Sequence, residues 1–256
     1  NISQRVGDAT DAELQNFGNL QFKAAIEGWN NCLIQNTSYT LASIGFNSLC
    51  NHNLTRSYYA ATLNTDGTIE DYCYKCGYHE DTDIPCVSQV KLSKKSFTYN
   101  GKVQKPSVTV IDSKGNVVSA DNYSVSYSNS GSKKVGSYGI YISFIGSKYS
   151  GSISYVYKII PKSSAISSLK GAKKKITVKY KKQTSQTTGY QIQVATDKAF
   201  KKNRKTVTVK KNKTTSANVS SLKAKKKYFV RVRTYKTVNG KKIYSSWSKV
   251  KTVKTK

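Results

Sequence analysis

The chain has 256 residues but no methionine, three prolines and two histidines. Histidine is the side chain that most often performs general acid–base catalysis, so its scarcity leaves few candidates for that chemistry. No apolar run approaches the roughly 18–20 residues that span a bilayer, which predicts that the chain has no membrane span. Because Asn1 is not a translation start and no signal peptide is present, we interpret the sequence as a mature or trimmed segment.

Acidic residues are scarce toward the C-terminus. Residues 163–256 contain one acidic side chain, Asp197, against 28 lysines and arginines. Residues 1–90 contain 10 acidic and 4 basic side chains, whereas residues 91–162 contain 2 and 11. The net charge of these three regions is therefore −6, +9 and +27. Because a surface of one sign attracts partners of the opposite sign, the C-terminal end is predicted to bind polyanions.

Alternation of polar and apolar residues predicts β-strands over most of the chain after residue 50. Two short strands, at 56–63 and 68–72, flank an Asp66-Gly67 turn and predict a hairpin. Further short strands separated by turn residues predict two successive all-β sandwiches. The strands predicted for the first sandwich are 90–92, 97–99, 108–110, 123–127, 138–144 and 153–159. Those predicted for the second are 176–180, 190–194, 207–209, 228–232 and 247–253.

Short motifs relate these segments to known modules. The segment 169–256 contains ITVKY at 176–180, GYQIQ at 189–193 and VRVR at 230–233. Through these motifs it resembles a fibronectin type III module of secreted clostridial-type Gram-positive bacteria. Tyr180 stands where such modules more often carry tryptophan, and Leu222 followed by Tyr228 is typical of a tyrosine corner. The other motifs that carry this resemblance are LKAKKKY at 222–228 and SWS at 246–248.

Two further resemblances cover the middle of the chain. Residues 90–161 resemble the bacterial Ig-like module that often precedes a fibronectin type III module, through LSKKSFTYNG at 92–101 and Lys105-Pro106. Residues 50–86 resemble a small cysteine-rich insert found before that module in such surface proteins. These resemblances are specific for architecture and weak for function.

The chain is therefore predicted to be mainly β and to have four parts. The N-terminal segment shows no strand pattern, and residues 11–33 are its best helix candidate, capped by Thr10 and Glu13. It is either a partly helical segment of its own or the tail of an upstream domain. The four predicted parts are this segment at 1–49, a cysteine-rich zinc-ribbon-like mini-domain at 50–88, an Ig-like sandwich at 89–161 and a fibronectin type III sandwich at 166–256.

Four of the five cysteines and both histidines lie between residues 50 and 86. Cys50-x-His52 and Cys73-x-x-Cys76 stand at the two ends of the predicted hairpin. A Cys-x-x-Cys-Gly turn lets two thiolates face one ion, and four such ligands with no open position make a structural zinc site. We predict that Cys50, His52, Cys73 and Cys76 bind zinc. Zinc would supply folding energy to a segment too small to bury a core.

Several alternatives to this zinc site stay open. A secreted protein can use the same cysteines in disulfides, or leave them as free thiols. His79, three residues after Cys76, is an alternative fourth ligand, although an exposed turn would also explain it. If zinc takes three cysteines, Cys32 and Cys86 remain as a possible disulfide. Residues 80–83 form an acidic stretch that is interpreted as a solvated loop and only weakly as a calcium site.

No set of residues predicts an enzyme. A cysteine or serine nucleophile needs a base that a third group orients, and both histidines lie among cysteines in a short segment. No phosphate-binding loop or dinucleotide motif is present. A zinc deaminase requires His-x-Glu, whereas His52 is followed by Asn53 and Leu54. We therefore predict that residues 1–256 carry no catalysis.

The predicted function is spacing and attachment outside a Gram-positive cell, with the basic end bound to anionic cell-wall polymers. Nucleic acid is disfavoured because the lysine runs lack interleaved aromatics, and this segment is predicted to be monomeric. The alternatives are an adhesin for a host protein or glycan, and an accessory tail of a secreted enzyme. The residues predicted to contact a polyanion are Lys173, Lys174, Lys175, Lys225, Lys226, Lys227, Arg231, Arg233, Lys241 and Lys242.

Overall fold

The computed structural model describes residues 52–129 and 132–256. Within them it contains seventeen β-strands and a single-turn 3₁₀ helix, Ala120–Asn122, so the prediction of a mainly β chain is confirmed. The helix predicted at 11–33 lies outside the described residues. In the described part of the chain, no helix is long and apolar enough to cross a membrane.

A small antiparallel sheet comes first in the chain. It consists of β1 (Thr55–Tyr59), β2 (Gly67–Tyr72) and β3 (His79–Ile84), in the order β1-β2-β3. The predicted hairpin is β1 and β2. The interpretation of residues 80–83 as a loop is wrong. They belong to β3, which pairs with β2 and places Asp81 opposite Glu70.

This sheet belongs to a compact unit that also contains residues 112–116 and 145–150. Backbone hydrogen bonds connect these pieces, from the Ala61 N–H to the Lys148 carbonyl at 2.9 Å and from the Ser113 N–H to the Cys86 carbonyl at 2.8 Å. Among the described residues before 89, the buried hydrophobic side chains are those of Ala61, Cys73, Ile84 and Val87. So few buried groups give the sheet little hydrophobic stabilisation of its own.

The second compact unit, residues 89–111, 117–144 and 151–256, contains most of the first predicted sandwich and all of the second. All six strands predicted for the first sandwich are present, and its core includes Val110, Ile140, Ile142, Tyr157 and Ile159. Its sheets are β4-β6 and β5-β9-β8-β7, in which β5 runs parallel to β9. The strands are β4 (Val87–Leu92), β5 (Ser96–Thr98), β6 (Val108–Asp112), β7 (Tyr123–Tyr127), β8 (Gly136–Phe144) and β9 (Ser152–Ile160).

The second sandwich packs a three-stranded sheet, β10-β11-β14, against a five-stranded sheet. In the latter the order is β13-β12-β15-β16, and β17 also pairs with β15. Tyr228 completes the predicted tyrosine corner, since its hydroxyl accepts the Lys223 N–H at 3.0 Å. The strands are β10 (Ile166–Ala172), β11 (Lys175–Tyr180), β12 (Gly189–Ala195), β13 (Lys205–Val209), β14 (Ser216–Val219), β15 (Lys227–Val238), β16 (Lys241–Tyr244) and β17 (Lys251–Lys254).

The core of this sandwich follows from the alternation along its strands. In β15, alternate side chains from Tyr228 to Thr234 are buried, and those between them are only partly covered. Twelve buried residues from both sheets form one cluster, in which the rings of Tyr180 and Tyr190 lie 4.5 Å apart. One end of the sandwich also contacts the first sandwich, because the Val135 N–H donates to Gln186 Oε1 at 3.2 Å.

Candidate metal centre and candidate polyanion-binding surface

Three of the predicted zinc ligands lie together. His52 precedes β1 and Cys73 follows β2, and pairing of Thr55 with Tyr72 brings these ends of the hairpin together. The ligand atoms of His52, Cys73 and Cys76 all lie within 4.8 Å of one another, and Cys76 Sγ is 3.3 Å from His52 Nδ1. The fourth predicted ligand, Cys50, lies outside the described residues.

The backbone between the two cysteines forms a closed turn. The Gly77 N–H donates to the Cys73 carbonyl at 2.8 Å, and the Cys73 N–H donates to the Tyr78 carbonyl at 2.8 Å. Gly77 has a φ of +73°, a left-handed conformation that glycine adopts without a Cβ penalty. The turn therefore holds both sulfurs on one side of the chain, as the Cys-x-x-Cys-Gly spacing predicts.

The electrostatics of the turn favour a thiolate. Burial raises the pKa of the Cys73 thiol, but hydrogen bonds from the backbone N–H groups of Lys75 and Cys76 lower it. Contacts with the Cys76 and His52 side chains also lower this pKa, and the result is a value of about 6. With this pKa, Cys73 is mostly a thiolate at neutral pH, and the thiolate is the form that binds metals.

His79 occupies a different place from the metal-ligand group. Its Nε2 atom lies 2.9 Å from Glu70 Oε1 and 3.2 Å from Asp81 Oδ1, on an exposed face of the small sheet. The candidate ligand group contains His52 and not His79. The strand β3, which carries His79 and Asp81, was not predicted from the sequence. The cluster that these two side chains form with Glu70 was therefore missed.

Two cysteines, Cys32 and Cys86, lie outside the predicted set of zinc ligands. No disulfide joins any two of the three described cysteines, Cys73, Cys76 and Cys86. The Cys86 N–H donates to Asp66 Oδ1 at 2.6 Å, which fixes its backbone. Cys32 lies outside the described residues, so its disulfide with Cys86 stays a prediction.

Most of the predicted polyanion-binding lysines come together at one end of the second sandwich. The register places the β10–β11 turn, the β12–β13 loop, the β14–β15 loop and the C-terminus at that end. We call residues 173–175, 196–205, 220–227 and 254–256 the lysine end. It contains 14 lysines and arginines and one acidic residue, Asp197.

Lys241 and Lys242 lie at the opposite end. That end, which we call the linker end, consists of residues 181–188, 210–215 and 236–242 and contains eight lysines. It includes Gln186, the residue that contacts the first sandwich. The ten residues predicted from the sequence as one polyanion-binding group therefore occupy more than one surface.

Arg231 and Arg233 lie between the two ends, in the middle of β15. The Arg231 guanidinium lies 3.9 Å from the Phe200 ring and 4.3 Å from the Trp247 ring. The Arg233 guanidinium lies 3.7 Å from the Tyr244 ring and 4.2 Å from the Trp247 ring. The five side chains thus form an alternating stack, which we call the arginine stack.

Side-chain and backbone hydrogen bonds hold the arginine stack in place. Arg231 donates twice to Gln193 Oε1, at 3.0 and 2.7 Å, and Arg233 donates twice to Gln191 Oε1, at 2.9 and 2.6 Å. Ser245 and Ser248 lie between β16 and β17 and form hydrogen bonds with the backbone of β15. These bonds position Trp247. That either arginine contacts a polyanion stays a prediction, since both guanidinium groups already have partners.

Comparison with known proteins agrees with this all-β architecture. Residues 161–251 match the model of the fibronectin type III domain, which confirms the resemblance for this part of the chain. Domains of this class are typically extracellular and non-catalytic. No curated protein matches the chain.

Many solved structures are similar to the chain, and two of them are described here. One is described as "Myokine structure"; it is 16% identical with a TM-score of 0.31, and the match covers 37% of this chain and 97% of that one. The other is described as "Crystal structure of chicken CNTN1 FN1-FN3 domains"; it is 16% identical with a TM-score of 0.32, and the match covers 75% and 77%. At these values neither structure bears on function.

Proposed function

We propose that this chain is a non-enzymatic spacer and attachment segment of a secreted or surface protein of a Gram-positive bacterium. In this proposal the C-terminal module binds anionic cell-wall polymers. One observation carries it: every ion pair among the described residues lies between Arg56 and Asp81, and none involves the C-terminal module. The net charge of +27 in residues 163–256 is therefore not offset by ion pairs with carboxylates of the described residues.

The lone acidic residue of the module does not offset this charge. Both carboxylate oxygens of Asp197 accept backbone N–H groups of Lys201 and Lys202, at 2.6–3.1 Å. These bonds lower the pKa of Asp197, with the Lys202 N–H as the main cause, and they fix a loop. A solvated surface explains exposed lysines but not their single sign, whereas a polyanionic partner explains both.

The test is binding of the full chain to purified walls at about 0.05 and 0.5 M salt. Exposed charges are screened over about 8–10 Å at 0.1–0.15 M ionic strength, so a contact made of many lysines must weaken steeply with salt. Retention that does not change with salt, or equal retention on walls stripped of anionic polymer, contradicts the proposal.

A second candidate function, a specific adhesin, is favoured by an apolar patch on the first sandwich. Tyr141 and Val156 are 49% and 61% exposed on the outer face of β8 and β9. Gly139 pairs with Val156, and a Cβ atom at Gly139 would lie 2.9 Å from the Tyr141 hydroxyl, so the two side chains flank one glycine. Exposed apolar patches commonly mark contacts with a protein or another ligand.

The adhesin is tested with host matrix proteins and neutral glycans at 0.5 M salt, where lysine contacts are screened. Binding that persists there and is lost in the Y141S/V156S variant supports the adhesin. Binding that disappears at this salt concentration in the unsubstituted chain counts against it and leaves the polymer proposal standing.

We further propose that His52, Cys73 and Cys76 bind one structural zinc ion, with Cys50 as the fourth ligand. The three described ligand atoms lie within 4.8 Å, and the Cys73 thiol has a lowered pKa. Three thiolates and one imidazole suit tetrahedral zinc and leave no open position for catalysis. Cys50 precedes His52 by two residues, which is close enough in the sequence to reach the same ion.

The zinc site is tested by metal content and X-ray absorption on protein purified without chelator. We expect one equivalent of zinc, with Zn–S distances of about 2.3 Å. C73S and C76S should lose the metal, whereas C86S, which changes a cysteine outside the ligand group, should keep it. Less than a tenth of an equivalent in the unsubstituted chain would falsify the site, and retention in C50S would remove Cys50 as the fourth ligand.

A further inference from the structure

The lysine end carries 14 basic side chains and one acidic side chain, and the chain topology creates it. Four separate segments meet there, because β10, β12, β14 and β17 all finish at the same end of the sandwich. Each segment carries lysines, so the charges are far apart in the sequence but close in the fold. We propose that the lysine end is the docking site, and that a linear polymer with repeated phosphate or carboxylate groups binds it end-on. This inference rests on the proposed attachment function and assigns its site and partner class.

The loops of the lysine end are fixed rather than loosely tethered. The Leu222 N–H donates to the Lys174 carbonyl at 2.9 Å, which ties the β14–β15 loop to the β10–β11 turn. The Thr255 hydroxyl donates to the Lys223 carbonyl at 2.7 Å and accepts the Lys226 N–H at 3.0 Å. Leu222 and Thr255 are themselves buried, so a stable core positions the backbone that carries these lysines. Fixed backbones reduce the conformational entropy that these loops would lose when a partner binds.

Two lysines at this end occupy backbone conformations that favour glycine. Lys174 has a φ of +52° and Lys225 has a φ of +53°, each in a turn. A side chain with a Cβ atom is strained in this left-handed region, whereas glycine adopts it without that penalty. Lysine at both tips is therefore less favourable for folding than glycine, and the proposed site accounts for charge at these two positions.

The surface chemistry indicates which polyanion fits. Within residues 161–256 the exposed large hydrophobic side chain is Val250, which lies outside the lysine end. Insertion into a membrane interface uses exposed apolar and aromatic side chains, and single-stranded nucleic acid uses aromatic rings for base stacking. The lysine end presents neither, so it suits a hydrated polymer that carries charge without bases or lipid tails.

The location is tested with two charge-matched variants of the full chain. K225Q/K226Q/K227Q and K210Q/K211Q/K213Q each remove three charges, the first from the lysine end and the second from the linker end. Binding is measured at low salt to a phosphodiester wall polymer, a polycarboxylate, single-stranded DNA and anionic vesicles. We expect the first variant to bind the polymers at least about tenfold more weakly and the second less than about threefold.

The outcomes separate the site, the partner and the function. Equal losses in the two variants would overturn the end-on site while leaving the proposed attachment function intact. Tighter binding to DNA or vesicles than to either base-free polymer would overturn the partner class. A difference between the phosphodiester and the polycarboxylate tells which charged group the site prefers. Failure of the unsubstituted chain to bind any polyanion would overturn the proposed function itself.

A second pair of variants tests why lysine occupies the left-handed positions. K174G/K225G should be at least as stable as the unsubstituted chain, because glycine relieves both turns, and yet should bind the polymer several-fold more weakly. N239G relieves a φ of +48° at the linker end without changing charge, and should leave binding unchanged. Unchanged binding in K174G/K225G would overturn the role of these two lysines. A loss of binding cannot be attributed to misfolding if thermal stability is kept.

Discussion

The small sheet β1–β3 and the C-terminal sandwich differ in what holds them together. The sheet has few buried hydrophobic side chains, but it contains all the described ion pairs and the candidate metal ligands. The sandwich has a core cluster of twelve buried residues and tolerates a net charge of +27 without internal ion pairs. A large core therefore frees the surface for charge of one sign, whereas a small unit depends on specific polar contacts.

Removal of the metal is expected to have the largest effect and to affect the two regions differently. If zinc stabilises the small sheet, a chelator should speed amide exchange in residues 55–84 by at least about a hundredfold. Exchange in β12 and β15 should stay unchanged, because their core contains no metal ligand. The measurement is residue-resolved hydrogen exchange with and without chelator, and C73S should reproduce the effect of the chelator. Protection of the small sheet that survives chelation would show that it does not depend on metal.

The contribution of the arginine stack to the stability of the sandwich can be measured by removing Trp247. W247A removes the ring shared by Arg231 and Arg233, and it should lower the free energy of unfolding by about 2–4 kcal/mol through lost burial and two cation–π contacts. V250A, three residues away at an exposed position, should change the free energy by less than about 0.5 kcal/mol. Denaturant unfolding measures both variants. A W247A effect no larger than that of V250A would show that the stack contributes little to stability.

These two regions also show how far the sequence could be interpreted. Cys73 and Cys76 were found because a Cys-x-x-Cys-Gly turn is local, and the hairpin that brings His52 to them is set by adjacent strands. The strands β10 and β14 were not predicted, because runs such as Ser167-Ser168 and Ser216-Ala217 lack the apolar alternation of a strand. Their pairing with β11, a non-local interaction, makes them strands.

Side-chain partners across the fold were harder to predict than strands. Arg231 and Arg233 look like free charges in the sequence, and their stacking depends on Phe200, Tyr244 and Trp247 from three other segments. The gathering of lysines at one end likewise depends on strand register. The sequence did contain a hint of this stack, because Arg231 and Arg233 alternate on one face of β15 and Trp247 lies in a later segment. This pattern did not identify which side chains are in contact.

The pH dependence of the metal-free small sheet should reveal the environment of Cys73. The pKa of about 6 is lower than the value near 8.5 expected in the unfolded chain. Because the thiol has a lower pKa in the folded state, it stabilises that state fully at pH values above the pKa of the unfolded chain. This contribution decreases as the pH falls through about 6. The difference in ultraviolet thiolate absorbance between the unsubstituted chain and C73S should therefore titrate near pH 6. A midpoint above pH 8 in metal-free protein whose β1–β3 amides stay protected from exchange would contradict the hydrogen bonding described for this turn.

The smallest expected effects come from two tyrosines that touch each other in the sandwich core. The Tyr190 hydroxyl accepts the Gln183 N–H at 2.7 Å and lies within donating distance of the Gln183 and Asn212 carbonyls, at 3.1 and 2.8 Å. The Tyr180 hydroxyl is buried and has no hydrogen-bond partner among the described residues, and this burial raises its pKa. A buried hydroxyl without a partner loses its hydration and gains no bond in return.

Removal of the two hydroxyls should therefore have opposite consequences. Y190F leaves partly buried backbone groups without their partner and should cost about 1–3 kcal/mol, whereas Y180F should be neutral or stabilising by up to about 1 kcal/mol. Both variants keep the ring and nearly the same volume, so each is the control for the other in thermal or denaturant unfolding. If Y180F destabilises the module as much as Y190F, then the Tyr180 hydroxyl forms a bond that this packing does not show. In that case tyrosine at position 180, where similar modules more often carry tryptophan, would contribute through its polar atom as well as its ring.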